Sequence, residues 1–99
     1  MTETTVWNDS AYDTFYYGNA PVSADNPCRV HIHGDKLILS YEQDRAVVSY
    51  SGAEYEPGHY RLTCVEPRAH ATLHREDENT LVGTWVEGSR KGLWLVKLG

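Results

Sequence analysis

Aliphatic and phenyl side chains are scarce in this sequence. Leu, Ile, Val and Phe together supply 20 of 99 residues, near the level below which a chain stops packing a core. Ala, Leu, Lys and Gln are too thinly spread to build a helical bundle. No apolar run approaches the ~20 residues a membrane-spanning helix needs. Met1 is followed by Thr-Glu-Thr-Thr rather than an apolar leader, so a cytoplasmic location is expected. Basic residues are few, nine against fourteen acidic for a net charge of −5, and they are scattered. That excludes the basic cluster that nucleic acid or an anionic membrane surface would require. Cysteine is limited to Cys28 and Cys64, 36 residues apart and without C-x-x-C spacing. Two reduced core thiols are expected, with a disulfide the minor reading. The length leaves no room for a second domain.

Aromatics fill the gap. Seven Tyr and three Trp each bury a large area and can replace the missing aliphatics. Residues 1–27 are rich in Asn, Asp, Ser, Thr and Pro, with an aromatic knot at Tyr12, Phe15, Tyr16 and Tyr17. Two readings fit this knot. Ser10 can cap a short helix, with Asp13 three residues on and Gly18 as its stop, which sets Tyr12, Phe15 and Tyr16 on one face. Alternatively, residues 14–17 form a strand. Either way the segment is expected to pack on the 28–99 unit, joined by an irregular linker ending in Asn26-Pro27.

From Cys28 onward apolar residues alternate with polar ones, and turn residues recur every 8–12 positions. This pattern predicts strands near 28–33, 36–42, 45–51, 58–65, 68–75, 80–87 and 91–98. The turns are expected at Gly34-Asp35, Gln43-Asp44, a longer Gly52–Pro57 loop, Glu66-Pro67, the acidic Glu76–Asn79 and Gly88–Arg90. Residues opposed across a hairpin must share a face. The first turn sets Ile32 against Leu37 and Val30 against Leu39. The second sets Leu39 against Val48 and Leu37 against Tyr50. The fourth sets Cys64 against Ala69, Leu62 against Ala71 and Tyr60 against Leu73. All three agree on a single apolar face. The expected fold is therefore an all-β, antiparallel, up-and-down meander of seven or eight strands forming a small barrel.

The last hairpin breaks the alternation. A turn at Ser89-Arg90 sets Trp85 against Trp94, yet Val82, Val86, Leu93 and Leu95 make the opposite face apolar as well. Strands apolar on both faces are covered on both, so either the N-terminal segment or a second chain is expected outside. Gly83-Thr84-Trp85 and Gly92-Leu93-Trp94 each read G-x-W, nine residues apart. The triplet resembles a feature of the lipocalins and avidins, the calycin-like barrels, in which it belongs to the first strand. The resemblance implies a meander that can hold a small ligand. Such a ligand would be lined by Tyr41, Tyr50, Tyr60, Trp85 and Trp94, with Tyr12, Phe15 and Tyr16 as a lid. The interior is expected to be mostly packed by rings, with a shallow pocket beside Ala46, Ala69, Ala71 and Gly83.

The polar face of the middle strands carries all five histidines: His31, His33, His59, His70 and His74. The register puts His59 opposite His74, close enough to share a metal ion, although no third ligand stands in register. The acids cluster at turns, where carboxylates are normally solvated. No G-x-S-x-G, reactive Cys–His context or Gly-rich phosphate loop occurs, so no catalytic constellation and no cofactor is expected. Three functions fit these residues. The first is a non-catalytic protein-interaction module, a small acidic cytosolic adaptor or inhibitor that self-associates, as a homodimer, through Val82, Val86, Leu93 and Leu95. The second is a calycin-like binder of a small apolar or aromatic ligand. The third is a metal-binding protein using His59 and His74.

Overall fold

A computed structural model describes residues 4–16, 23–43, 45–64 and 68–99. Eight strands run in chain order: β1 (Thr4–Tyr16), β2 (Ser23–His33), β3 (Lys36–Gln43), β4 (Ala46–Glu56), β5 (His59–Cys64), β6 (Ala69–Asp77), β7 (Thr80–Glu87) and β8 (Arg90–Lys97). Each pairs antiparallel with its neighbour in sequence, and β1 pairs with β8 to close the barrel. The predicted all-β up-and-down barrel is what the chain forms. Eight strands enclose an interior just wide enough for side chains. Val30, Leu37, Leu39, Tyr50, Leu62, Leu73, Leu81 and Val96 fill it, with Trp85 and Trp94.

The N-terminal region is extended, and the helical reading is overturned. Residues 4–16 are a stave of the wall itself, hydrogen-bonded to β2 on one side and β8 on the other. Closure rewards this choice, because a seven-stranded meander would leave the β2 and β8 edges unpaired. Irregularities between Trp7 and Ser10, and again between Tyr12 and Thr14, bend the stave around its neighbour. Ser10 sits at the first bend, where its buried hydroxyl donates to the Trp7 carbonyl at 3.1 Å and accepts from the Gly99 N–H at 3.2 Å.

Two hairpin registers are as predicted, β2–β3 and β5–β6. Two others differ by two residues. Gln43 pairs with Ala46, so Leu39 faces Tyr50 and Leu37 faces Gly52. Gln43 is thus part of the strand rather than the turn, and Arg45, just before Ala46, lies in the left-handed region at φ 66°. In the last hairpin Glu87 pairs with Arg90, so Trp85 faces Gly92 and Gly83 faces Trp94. A shift of two preserves the face of every side chain and changes only its partner. The segment expected as a loop over 52–57 is strand to Glu56, with the reversal confined to Pro57-Gly58. Asp44, residues 65–67, Gly18 and the linker residues 19–22 lie outside the described residues.

The corrected register explains both G-x-W triplets. Trp85 lies between Ala71 on β6 and Gly92 on β8, and Trp94 lies between Gly83 on β7 and Thr14 on β1. Each indole thus has a small residue on either flank, which is how a narrow barrel accommodates large rings. A Cβ at Gly83 would come within 1.7 Å of the Thr72 carbonyl oxygen, and one at Gly92 within 2.0 Å of that of Phe15. Backbone approaches this close are open only to glycine. Indole therefore takes the space beside Ala71 and Gly83 expected as a pocket, while Ala46 is exposed and Ala69 borders a separate surface pocket with Thr63, Arg68 and Val86.

Candidate functional site

The two ends of the barrel differ. Trp7, Ile32 and Leu98 pack against the core toward one end, with the Arg75 guanidinium 5.5 Å from the Trp7 ring centre. At the other end Tyr12, Tyr41, Tyr50, Trp85 and Trp94 converge. Their ring centres stand 5.1 Å apart for Tyr12–Tyr41, 5.7 Å for Tyr12–Trp94, 5.0 Å for Tyr50–Trp94 and 6.2 Å for Trp85–Trp94. The Tyr50–Trp94 and Tyr41–Trp94 contacts are edge-to-face, the geometry favoured by ring quadrupoles. A cavity of about 290 Å³ opens above this floor. Its rim is polar, made by Thr14, Asn26, Glu42, Gln43, Glu87 and Arg90.

Burial raises the pKa of the Tyr41 and Tyr50 phenols well above the usual tyrosine range, and the Glu87 carboxylate raises them further. Both therefore stay neutral at physiological pH. Tyr50 is wholly buried, and its hydroxyl lacks a hydrogen-bond partner of normal geometry; the Tyr41 hydroxyl acts on it from nearby. The Cys28 thiol, also inside, is pushed up to about 12 by burial, which makes it a packing residue rather than a nucleophile. Both cysteines are free.

Five of the eight residues expected to line a ligand meet at this mouth. Tyr60 is buried in the core opposite Leu73. Phe15 is not a lid: it points outward, is 40% exposed and pairs with Leu93 across β1–β8. The Tyr16 side chain lies outside the described residues. The rim residues went unread in the sequence. The period-two pattern could have found Gln43 and Glu87, which continue the inward faces of β3 and β7 beyond the last apolar residue.

The second candidate is the outer face of β1, β8 and β7. Leu93 is 38% exposed and adjoins Phe15 on β1, while Val82 pairs with Leu95 and Val86 with Lys91. Val82, Val86 and Leu95 are half-buried. The N-terminal strand extends this face sideways rather than covering it. Val82, Val86, Leu93, Leu95 and Phe15 thus share the outer face of three strands, with Thr84 opposite Leu93, Asp13 opposite Leu95, and Lys91 and Lys97 at the borders. Lys97 reaches the Asp25 carboxylate at 2.6 Å and that of Asp13 at 3.5 Å.

The histidines line the outer face of the opposite wall. His59 and His74 pair as predicted, with ring centres 5.7 Å apart. His74 Nε2 is already 2.9 Å from a Glu76 carboxylate oxygen, and Tyr55 lies 6.0 Å from the His59 ring. Among the described residues no group of three or more His, Cys, Asp or Glu side chains is placed to hold a metal ion. The arrangement adds no third ligand to the histidine pair.

Comparisons with protein-family models, curated proteins and solved structures find no match for this chain. Among the described residues, no helix is long and apolar enough to cross a membrane.

Proposed function

We propose that this protein is a non-catalytic interaction module, a small acidic adaptor or inhibitor, which self-associates through the outer face of β1, β8 and β7. The supporting observation is the strip running from Phe15 through Leu93 and Leu95 to Val82 and Val86. Opposed side chains on neighbouring strands lie ~5 Å apart and diagonal ones ~7 Å, so Phe15 adjoins Leu93 and Val82 adjoins Leu95 directly, while Val86 reaches Leu93 on the diagonal, with Thr84 facing Leu93 between the two valines. An outward apolar patch rimmed by charges of both signs has the composition of an interface, with a dry centre and a polar edge. Two copies related by a two-fold axis would present the same strip to each other, with Phe15 and Leu93 at the centre. Sedimentation velocity over the micromolar range tests this: a dimer is expected, and Leu93→Lys should render it monomeric. A wild-type chain that stays monomeric at high-micromolar concentration contradicts the proposal.

The cavity at the aromatic mouth favours a second reading, in which the barrel binds a small ligand in the manner of the calycin-like barrels. Support comes from the closed eight-stranded meander, the two G-x-W triplets and the opening over Tyr12, Tyr41 and Trp94. Its volume matches the lower end of the range for small-molecule sites, ~300 Å³ upward. Because the indoles fill the lower barrel, the ligand would sit at the rim rather than deep inside. Thermal-shift measurements against small aromatic compounds test this reading, since a ligand of the native state must raise the melting temperature.

A further inference from the structure

We infer that the mouth cavity is selective for a protonated primary amine on a small aromatic or alkyl body. This rests on the second reading above, that the mouth is a ligand site.

Tyr41, Tyr50 and two acids, Glu87 and Glu42, line the cavity, and the Glu87 carboxylate is close enough to act on both phenols. The Tyr50 oxygen is buried without a hydrogen bond of normal geometry, a cost that a donating ligand would relieve. Glu87 lies on the inward face of β7, directly opposite Arg90 on β8. The two make no ion pair among the described residues, where Lys97 and His74 carry the ion pairs found. Glu87 is half-buried and Arg90 is exposed, so the acid is the better placed of the two to meet a bound group. Its negative field already acts on both tyrosines.

An ammonium has three donors and no acceptor. It would satisfy two phenolic oxygens and a carboxylate at once, with charge assistance from Glu87. The exposed ring surface of Tyr12 and Tyr41 supplies an apolar wall and a favourable quadrupole for a cation. A carboxylate ligand would instead face Glu87 and Glu42, with only Arg90 in compensation. A neutral alcohol would gain the hydrogen bonds but not the charge term.

Phenethylamine, 2-phenylethanol and 3-phenylpropionate share one ring and differ in the head group. Titrated into the ¹⁵N-labelled protein, phenethylamine is expected to shift the indole N–H signals of Trp85 and Trp94. That of Trp7, at the far end, should stay unmoved. The acid should bind at least about tenfold more weakly, and Glu87→Gln should weaken the amine by about the same factor, the loss of one charge-assisted hydrogen bond. Arg90→Gln should tighten the amine and weaken the acid. Equal affinity for amine and acid, or an amine affinity unchanged by Glu87→Gln, overturns amine selectivity while leaving the mouth a ligand site. If no probe moves Trp85 and Trp94, both the selectivity and the ligand-site reading fall.

Discussion

The β3–β6 wall and the β7–β8–β1 wall belong to one barrel but follow different rules. Along the first half of β3 and along β5 every second residue is buried and those between are exposed or half-buried: Leu37 and Leu39 alternate with Lys36 and Ile38, and Tyr60, Leu62 and Cys64 with His59, Arg61 and Thr63. This wall meets water on one side only. Along β7 and β8 the inward positions hold Leu81, Trp85, Trp94 and Val96, while the outward ones hold Val82, Val86, Leu93 and Leu95. Packing the interior requires the first set and nothing about the fold requires the second. That surplus is the ground for proposing a binding surface here. The same wall also contributes Trp85, Trp94, Glu87 and Arg90 to the mouth, so both candidate sites draw on the last hairpin.

The largest expected effect tests the inner side of the two-faced wall. Gly83→Ala places a methyl group within 1.7 Å of the Thr72 carbonyl oxygen, and β6 and β7 must separate to admit it. A loss of about 3 kcal/mol or more is expected from overpacking at a backbone contact, read by urea denaturation. A variant as stable as the parent would show that glycine is not needed for the approach of these strands.

The outer side is tested by a matched pair. Leu93 and Ile38 are similarly exposed, at 38% and 42%, yet Leu93 sits within the strip while Ile38 stands on the histidine wall between His31 and Ser51. Leu93→Lys should abolish self-association, and Ile38→Lys should leave it intact, each changing monomer stability by no more than about 1 kcal/mol. Equal effects of the two on association would erase the distinction between the walls.

A smaller effect follows from titration. Cys28, Tyr41, Tyr50 and Tyr60, on β2, β3, β4 and β5, are held protonated by burial inside the barrel. Burial raises the Cys28 thiol from 9.0 to about 12 and raises the three phenols above 10.0. The unfolded chain therefore releases these protons first, and stability is full below pH 9 and falls as pH rises above it. Chemical denaturation across this range checks the sign, and Tyr50→Phe should flatten the decline. The smallest effect is expected outside the same wall: His59→Gln with His74→Gln should change stability by no more than about 0.5 kcal/mol and leave association unchanged.

The division between the walls also accounts for what could be read in the sequence. Where one face is polar, alternation assigns each residue its side, and the β2–β3 and β5–β6 registers followed from their turns. Alternation cannot separate registers that differ by two, because face is conserved, and turn chemistry has to decide. Arg45 at φ 66° is a rare turn residue and gave no signal. In β1 the pattern failed for a different reason. Its inward residues include Ser10 and Thr14, which are polar, and both are buried. With the inward side so disguised, the aromatic spacing of Tyr12, Phe15 and Tyr16 suggested a helix. The mouth was half legible: the five rings are apolar and alternate, whereas its rim consists of polar residues that look like ordinary turn flanks. The apolar outer strip was legible in full except for Phe15, whose place on it depends on β1 being a stave.

The central claim is that the β7–β8–β1 outer face is a binding surface, self-association being its first use. Backbone amide shifts recorded from dilute to high-micromolar protein test it most directly. The account predicts concentration-dependent shifts at Phe15, Val82, Val86, Leu93 and Leu95 that vanish in Leu93→Lys. Shifts confined to the β3–β6 wall, or none at any concentration, would contradict it.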